Sequence, residues 1–446
     1  MGDEGASGIP DDGTPLTTSL AWATWALFVG LAFLLVGAGL LSTLVAVRAE
    51  IEGFGTGVIG LVGAAYYAGF LVGSKLTLVA LSKVGHIRVF TALASVLSAS
   101  VLVLGLWPNP YLWVVMRFVT GLCLAGQYVV AESWLNHIVT NEARGRLLAV
   151  YMVVSNAAWG LGPLLLARVN PATIVGFAVV AICTSLAVVP VALSEEAEAP
   201  PIGETGRLPL RELAELVPTG MGSAIIVGAA HGAFGSLVAL FAARAGLGDA
   251  AIGRLATAWV VGGVIFQWPI SAASDDLDRR AVGAMIACGA VGASVLLAVV
   301  GPRGWAGLLT VALIGGFSVP LYSIAAAYTN DFVPPESATA ANSQVVLLYG
   351  AGALTGPVIA STVMAFGGNN GFVWTSAALH VLLAVFFVYR MFAWRAPFAK
   401  YPRDEISLPA RAFFLPATVV AMGRRARRSH ARFRLRQLGR RRRRSR

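Results

Sequence analysis

Twelve apolar stretches, each about as long as a bilayer is thick, decide what this chain can become. A helix that crosses the hydrocarbon layer needs about 20 apolar residues. Such segments run over 21–46, 56–81, 87–106, 111–137, 146–167, 172–193, 220–244, 252–273, 280–300, 304–329, 339–365 and 370–394. No water is available there to satisfy backbone polar groups, so each segment must bond to itself as a helix. The expected fold is an all-α membrane protein of twelve transmembrane helices. Composition agrees: 12% of residues are charged, against about 25% in a soluble domain. The first 20 residues carry Asp3, Glu4, Asp11 and Asp12 and no Lys or Arg. A secretory signal needs a basic leading region, so the first apolar segment reads as a retained helix. Cys123, Cys183 and Cys288 all lie inside apolar runs, which gives no disulfide framework and no metal-ligand spacing.

Charge divides the chain unevenly. Residues 395–446 hold 17 Lys and Arg against Asp404 and Glu405, a net of +15, while the remainder is at −4. The longest internal polar stretch, 194–219, carries Glu195, Glu196, Glu198, Pro200, Pro201 and Pro209. It reads as a solvated linker between two bundles of six helices, 21–193 and 220–394, with a polar N-terminal tail at 1–20 and an Arg-rich tail at 395–446. Lys and Arg favour cytoplasmic loops. Lys83, Arg88, Arg144, Arg146, Arg207, Arg211, Arg279, Arg280 and the tail fall on one side, and fewer basic residues fall on the other. Both termini are therefore expected in the cytoplasm, and the protein in the cell inner (plasma) membrane as a multi-pass monomer.

The two bundles are related. A shift of 194 carries Gly121 onto Gly315, Tyr128 onto Tyr322, Asn136 onto Asn330, Gly162 onto Gly356 and Pro163 onto Pro357. A shift of 193 carries Gly60 onto Gly253 and Gly69 onto Gly262. Parallel six-helix repeats with a binding site at the midplane between them are a layout of secondary transporters. On these residues the chain resembles the major facilitator superfamily. The stretches at Tyr66–Ser74, Val129–Asn136, Arg144–Met152 and Phe266–Ile270 resemble its YcaD-type branch. The resemblance implies the major facilitator fold, two six-helix pseudo-repeats and movement of a solute by alternating access.

The superfamily's loop signature after the second helix is only partly kept. Leu78 replaces its first glycine and Ser82 its aspartate, while Lys83, Gly85 and Arg88 match. The second-half copy keeps Asp275 and adds Asp276, Asp278, Arg279 and Arg280. The resemblance makes this loop a cytoplasmic latch, with Asp275 as its carboxylate. A solvated turn with ordinary positive-inside charge is the plainer reading. The superfamily's Arg-x-x-x-Gly pattern in helix four, tied to proton or substrate coupling, is matched by Arg117 and Gly121.

Arg117 lies about six residues, roughly 9 Å, from its end of segment four, where a lipid-facing guanidinium is costly. At about 100° per residue, Gly121, Leu124, Tyr128 and Glu132 share its face. Glu132 lies about 22 Å along the helix from Arg117, beside Arg144 and Arg146. It is either their structural ion-pair partner or a proton carrier. Gln127, Asn156, His231, Trp259, Gln267, Tyr322 and Tyr349 are the other polar or amphipathic residues inside segments. A lone histidine such as His231 serves packing more often than a relay. Gly162–Pro163 and Gly356–Pro357 read as helix breaks, and their partial match to a Gly-rich antiporter element points towards export.

These readings converge on secondary active transport of a small organic solute or amphipathic compound, with proton coupling. No P-loop, metal-ligand or nucleophile–base pattern suggests ATP-driven pumping or an enzyme, and no cofactor is expected. The cavity should favour neutral or anionic cargo. The Arg-rich tail has one aromatic residue and no folded nucleic-acid motif, so anionic lipid is its expected partner, with 410–422 as a possible interfacial stretch. An uncoupled facilitator, or a membrane scaffold acting through the tail, fits the same residues.

Overall fold

A computed structural model of the chain describes residues 16–138, 141–193, 209–334 and 337–393. The helices of the first half are α1 (Leu16–Ile51), α2 (Thr56–Val84), α3 (His86–Leu106), α4 (Pro110–Ile138), α5 (Asn141–Leu161) and α6 (Val175–Ala192), with a 3-10 turn over Gly162–Arg168 after α5. The short α7 (Leu210–Leu216) leads into α8 (Pro218–Arg244), α9 (Asp249–Asp276), α10 (Arg279–Val300), α11 (Gly304–Ser318), α12 (Pro320–Phe332), α13 (Ala338–Gly367) and α14 (Gly371–Ala393). Among the described residues, twelve spans are long and apolar enough to cross a membrane, α11 and α12 together making one of them. The described residues of 16–138 and 151–393 form one large compact unit, and 141–150 falls outside it. The spans of both halves therefore lie in the large unit, apart from the first turns of α5. The even number of described spans puts the start of α1 and the end of α14 on one face, called here the terminal face.

Glycine sets how closely the helices approach. A Cβ on Gly69 of α2 would strike the Phe118 carbonyl of α4, and one on Gly121 would strike the Tyr66 carbonyl of α2. The second half repeats both contacts: Gly262 meets the Ala312 carbonyl and Gly315 the Trp259 carbonyl. Gly162 against the Val36 carbonyl is likewise repeated by Gly356 against that of Ala229. Without a hydrophobic drive between helices in lipid, close backbone approach supplies the packing. The repeated glycines of the sequence are these crossing points.

Three expectations change. Gly356–Pro357 does not break its helix, because α13 continues through it. Proline removes one backbone donor, but Gly356 is pressed on α8 and Pro357 faces Gly60 and Gly63 of α2, so neighbouring helices hold the segment straight enough to resume. Gly162–Pro163 does end α5, which passes into the 3-10 turn. The tenth span, expected as one helix, is divided between Ser318 and Pro320. The linker contains a helical turn of its own, α7, which buries Leu213.

Gly69→Val should cost about 1–3 kcal/mol through overpacking, read as a lower melting temperature of the purified protein. Gly292→Val, where a Cβ meets nothing within 4 Å, should leave it unchanged. Equal damage at both positions would contradict the crossing-point account.

Candidate functional site

The shared face of α4 turns towards α2 at Arg117 and comes within electrostatic reach of the second half at Glu132. Arg117 is buried, at 7% exposure, and its Cζ lies 4.7 Å from the centre of the Tyr66 ring on α2. Its Nε has no hydrogen-bond partner, and it forms no ion pair among the described residues. Tyr66 meets Tyr67 edge-on at 5.1 Å, and Phe70 meets Tyr128 at 6.2 Å. Tyr67 hydrogen-bonds to Ser236 of α8, across the halves. Near the terminal face Glu132 is exposed and accepts a hydrogen bond from Tyr151 Oη at 3.2 Å. Tyr322 of α12 lies within its electrostatic reach. The side chains of Arg144 and Arg146 lie outside the described residues, as does the whole 394–446 tail. Gln127 is fully buried with both amide atoms unpartnered. Asn156 donates back to the Met152 carbonyl of its own helix at 2.7 Å, a local bond.

The second half carries a directional hydrogen-bond chain. His231 Nε2 lies 3.1 Å from the Ser318 carbonyl and Nδ1 3.0 Å from Tyr349 Oη. Ser318 Oγ lies 2.8 Å from His380 Nε2, and His380 Nδ1 lies 2.7 Å from the Ser376 carbonyl. Carbonyls only accept, so the neutral rings must carry Nε2–H on His231 and Nδ1–H on His380. Their other nitrogens then accept from Tyr349 and Ser318. The chain ties α8 and α14 to the tenth span at Ser318, two residues before Pro320. His380 escaped the sequence-based candidates, although an ionisable residue inside an apolar span is itself a signal. Trp259 packs edge-on against His231 at 5.7 Å and stacks on Phe234 at 5.4 Å, and its indole N–H has no partner. Gln267 donates to Ser323 at 2.8 Å and lies 3.3 Å from Ser271.

The terminal face of the second half holds an ionic cluster. Arg279 donates to Asp331 at 2.7 Å, to Ser274 at 2.6 Å and to Asp275 at 3.2 Å. Asp331, unmarked in the sequence, is thus the shorter carboxylate contact and ties α12 to α10. Asp278 caps α10 through the Arg280 N–H and receives the Arg280 side chain at 2.8 Å. That side-chain bond holds the Asp278 carboxyl below the usual carboxylate range. In the first half Lys83 and Arg88 are exposed, and Ser82 bonds only its own helix at Val79.

On the opposite face Arg244 of α8 grips both carboxylate oxygens of Glu50 on α1 at 2.8 Å each, and donates to Thr56 of α2 at 3.0 Å. Thr257 of α9 donates to the Gly160 carbonyl of α5 at 2.7 Å. Both contacts join the halves. Neither was visible in sequence, because Arg244 and Glu50 sit at segment ends, where charge is ordinary.

A depressed carboxylate stabilises the fold above its ordinary titration range near pH 4 and loses that contribution as pH falls through its folded value. Asp278→Asn keeps the cap but not the charge, so its melting temperature should lie below wild type at pH 7 and converge with it towards pH 3. Arg244→Glu should cost about 1–2 kcal/mol for this partly buried charged pair, with recovery in Glu50→Arg/Arg244→Glu. No recovery in the double variant would mean the pair is incidental.

The Major Facilitator Superfamily model matches residues 26–221 and 220–442. A relative in Escherichia coli, the uncharacterized MFS-type transporter YcaD, is 30% identical over 353 residues, covering 77% of this chain and 89% of its own. Among solved structures, the nucleoside transporter NupG superposes with a TM-score of 0.67 at 12% identity, over 85% of this chain and 100% of its own. A bacterial homolog of the human lysosomal transporter Spinster, inward-facing and occupied, gives 0.69 at 13% identity, over 84% and 97%. At such identities these two show the fold.

Proposed function

This chain belongs to the Major Facilitator Superfamily of transporters and is similar to its YcaD branch, and from that premise we propose that it moves a small organic or amphipathic solute across the inner membrane by proton-coupled alternating access. The observation that carries the reading is the α4 stripe: a buried Arg117 at one end, against Tyr66, and an exposed Glu132 at the other, within reach of Tyr322 of the second half. The Glu50–Arg244 and Thr257–Gly160 contacts close the face opposite the termini. With the termini in the cytoplasm, as the basic loops favour, these contacts support a reading in which the halves are clasped on the outer side and the binding space is reached from inside. In this reading Glu132, at the open mouth and held by Tyr151, exchanges the proton, and Arg117 deeper in the cavity meets the cargo. The Gly-Pro elements favour export. The Arg279–Asp331–Asp275 cluster holds α9, α10 and α12 as one body during the rocking of the halves. The basic tail lies on anionic lipid, and the protein works as a monomer.

The test is solute movement in proteoliposomes with and without an imposed pH gradient. Wild type should accumulate or expel solute down the gradient. Glu132→Gln should lose that drive while retaining solute-for-solute exchange. Wild-type transport indifferent to the gradient would leave an uncoupled facilitator instead.

A further inference from the structure

Among the described residues, Arg117 is a buried cation with no carboxylate to answer it. The acidic residues of the described spans and their joining loops sit near the two faces. Glu50, Glu52 and Asp249 lie at one, and Glu132 and the Asp275–Asp331 cluster lie at the other. The nearest acid on its own helix face, Glu132, is about 22 Å along that helix. A buried charge without a partner is strongly disfavoured. The face of Tyr66 offsets part of that cost through cation–π attraction, but it leaves the buried Nε–H without an acceptor. The second half adds no fixed charge. Its two central histidines spend one N–H each on a carbonyl and use the other nitrogen as an acceptor. It does add a second unpartnered donor, the Trp259 indole N–H, which cannot accept. Trp259 of α9 lies where Tyr66 of α2, the ring beneath Arg117, lies in the first half. Around them stand rings from both halves: Tyr66, Tyr67 and Tyr128 on one side, Tyr322 and Tyr349 on the other.

We propose that the cargo is an organic anion, a carboxylate on an aromatic or otherwise apolar body, with its anionic group drawn to Arg117 and its body held among these rings. The planar two-pronged guanidinium suits a carboxylate better than a point cation would. Surplus donors favour an acceptor-rich head group, and the want of a carboxylate beside Arg117 disfavours an amine. This inference rests on the transporter reading above for the cargo's movement, but not for its binding.

Three probes with one body and three charges test it: phenylacetate, phenylacetamide and phenethylamine at pH 7, added to the purified full-length protein. Phenylacetate should raise the melting temperature at concentrations about tenfold lower than phenylacetamide, the difference one charge-assisted contact supplies. Phenethylamine should give no shift. Arg117→Gln should bring the anion and the amide level, and Arg117→Lys should keep the anion ahead. Tyr66→Leu should weaken both without changing their order. If Arg117→Gln fails to fold, the wild-type order and the Lys and Leu variants still decide. Binding of the amine as well as the anion, no stabilisation by any probe, or an anion preference surviving in Arg117→Gln would overturn the proposal. Counterflow without a pH gradient separates the two readings. Phenylacetate that binds but does not exchange would leave the anion site and remove transport. Exchange of the amine in its place would keep transport and remove the anion site.

Discussion

A bilayer interior offers no water, so every polar group placed there must be answered by protein or left at a cost. Most features of this molecule follow from that condition. The backbone answers itself in helices, and where helices cross, glycines bring carbonyls and Cα atoms together. Where the tenth span is divided at Pro320, His231 reaches from α8 to the carbonyl of Ser318, and His380 answers the same serine's hydroxyl. At the faces, charges answer one another: Arg279 with Asp331, Arg244 with Glu50. Arg117 stands apart because only an aromatic ring answers it, and that exception gives the site its chemistry.

The repeat separates scaffold from function. Gly69, Gly121 and Gly162 make contacts that Gly262, Gly315 and Gly356 make again in the second half. The crossings therefore belong to the common architecture. What occupies the cavity side of those crossings differs. Tyr66 lies under a guanidinium, and its counterpart Trp259 lies against a neutral histidine; Arg117 itself is replaced by Val311. Two similar frames thus present a cationic wall and a neutral hydrogen-bonding wall to the same space.

The spans and the repeat were legible because both are local or periodic signals: apolar length for the one, equal spacing for the other. Arg117 was legible because a charge inside an apolar run stands out. Long-range pairings were not. Glu50 and Arg244 are 194 positions apart, and Asp331 answers an arginine 52 positions away, while each looks like an ordinary loop charge in sequence. Proline was misleading in both directions. Pro357 is carried through by its packing, whereas Pro320 coincides with the divided span. Whether a proline breaks a helix depends on how the neighbouring helices pack against it, and that is tertiary information.

The central claim is that the two halves rock about the cavity, with the face opposite the termini closed when the terminal face is open. The direct measurement is of electron–electron distances between spin labels in lipid nanodiscs. One pair sits at Ile51 and Gly248 on the clasped face, and one at Lys83 and Asp276 on the terminal face. All four positions are exposed, and the three native cysteines are replaced. The account predicts two populations in which one distance lengthens as the other shortens, with Glu50→Gln shifting weight towards the opened clasp. Single distances at both faces, unmoved by pH and by Glu50→Gln, would contradict it.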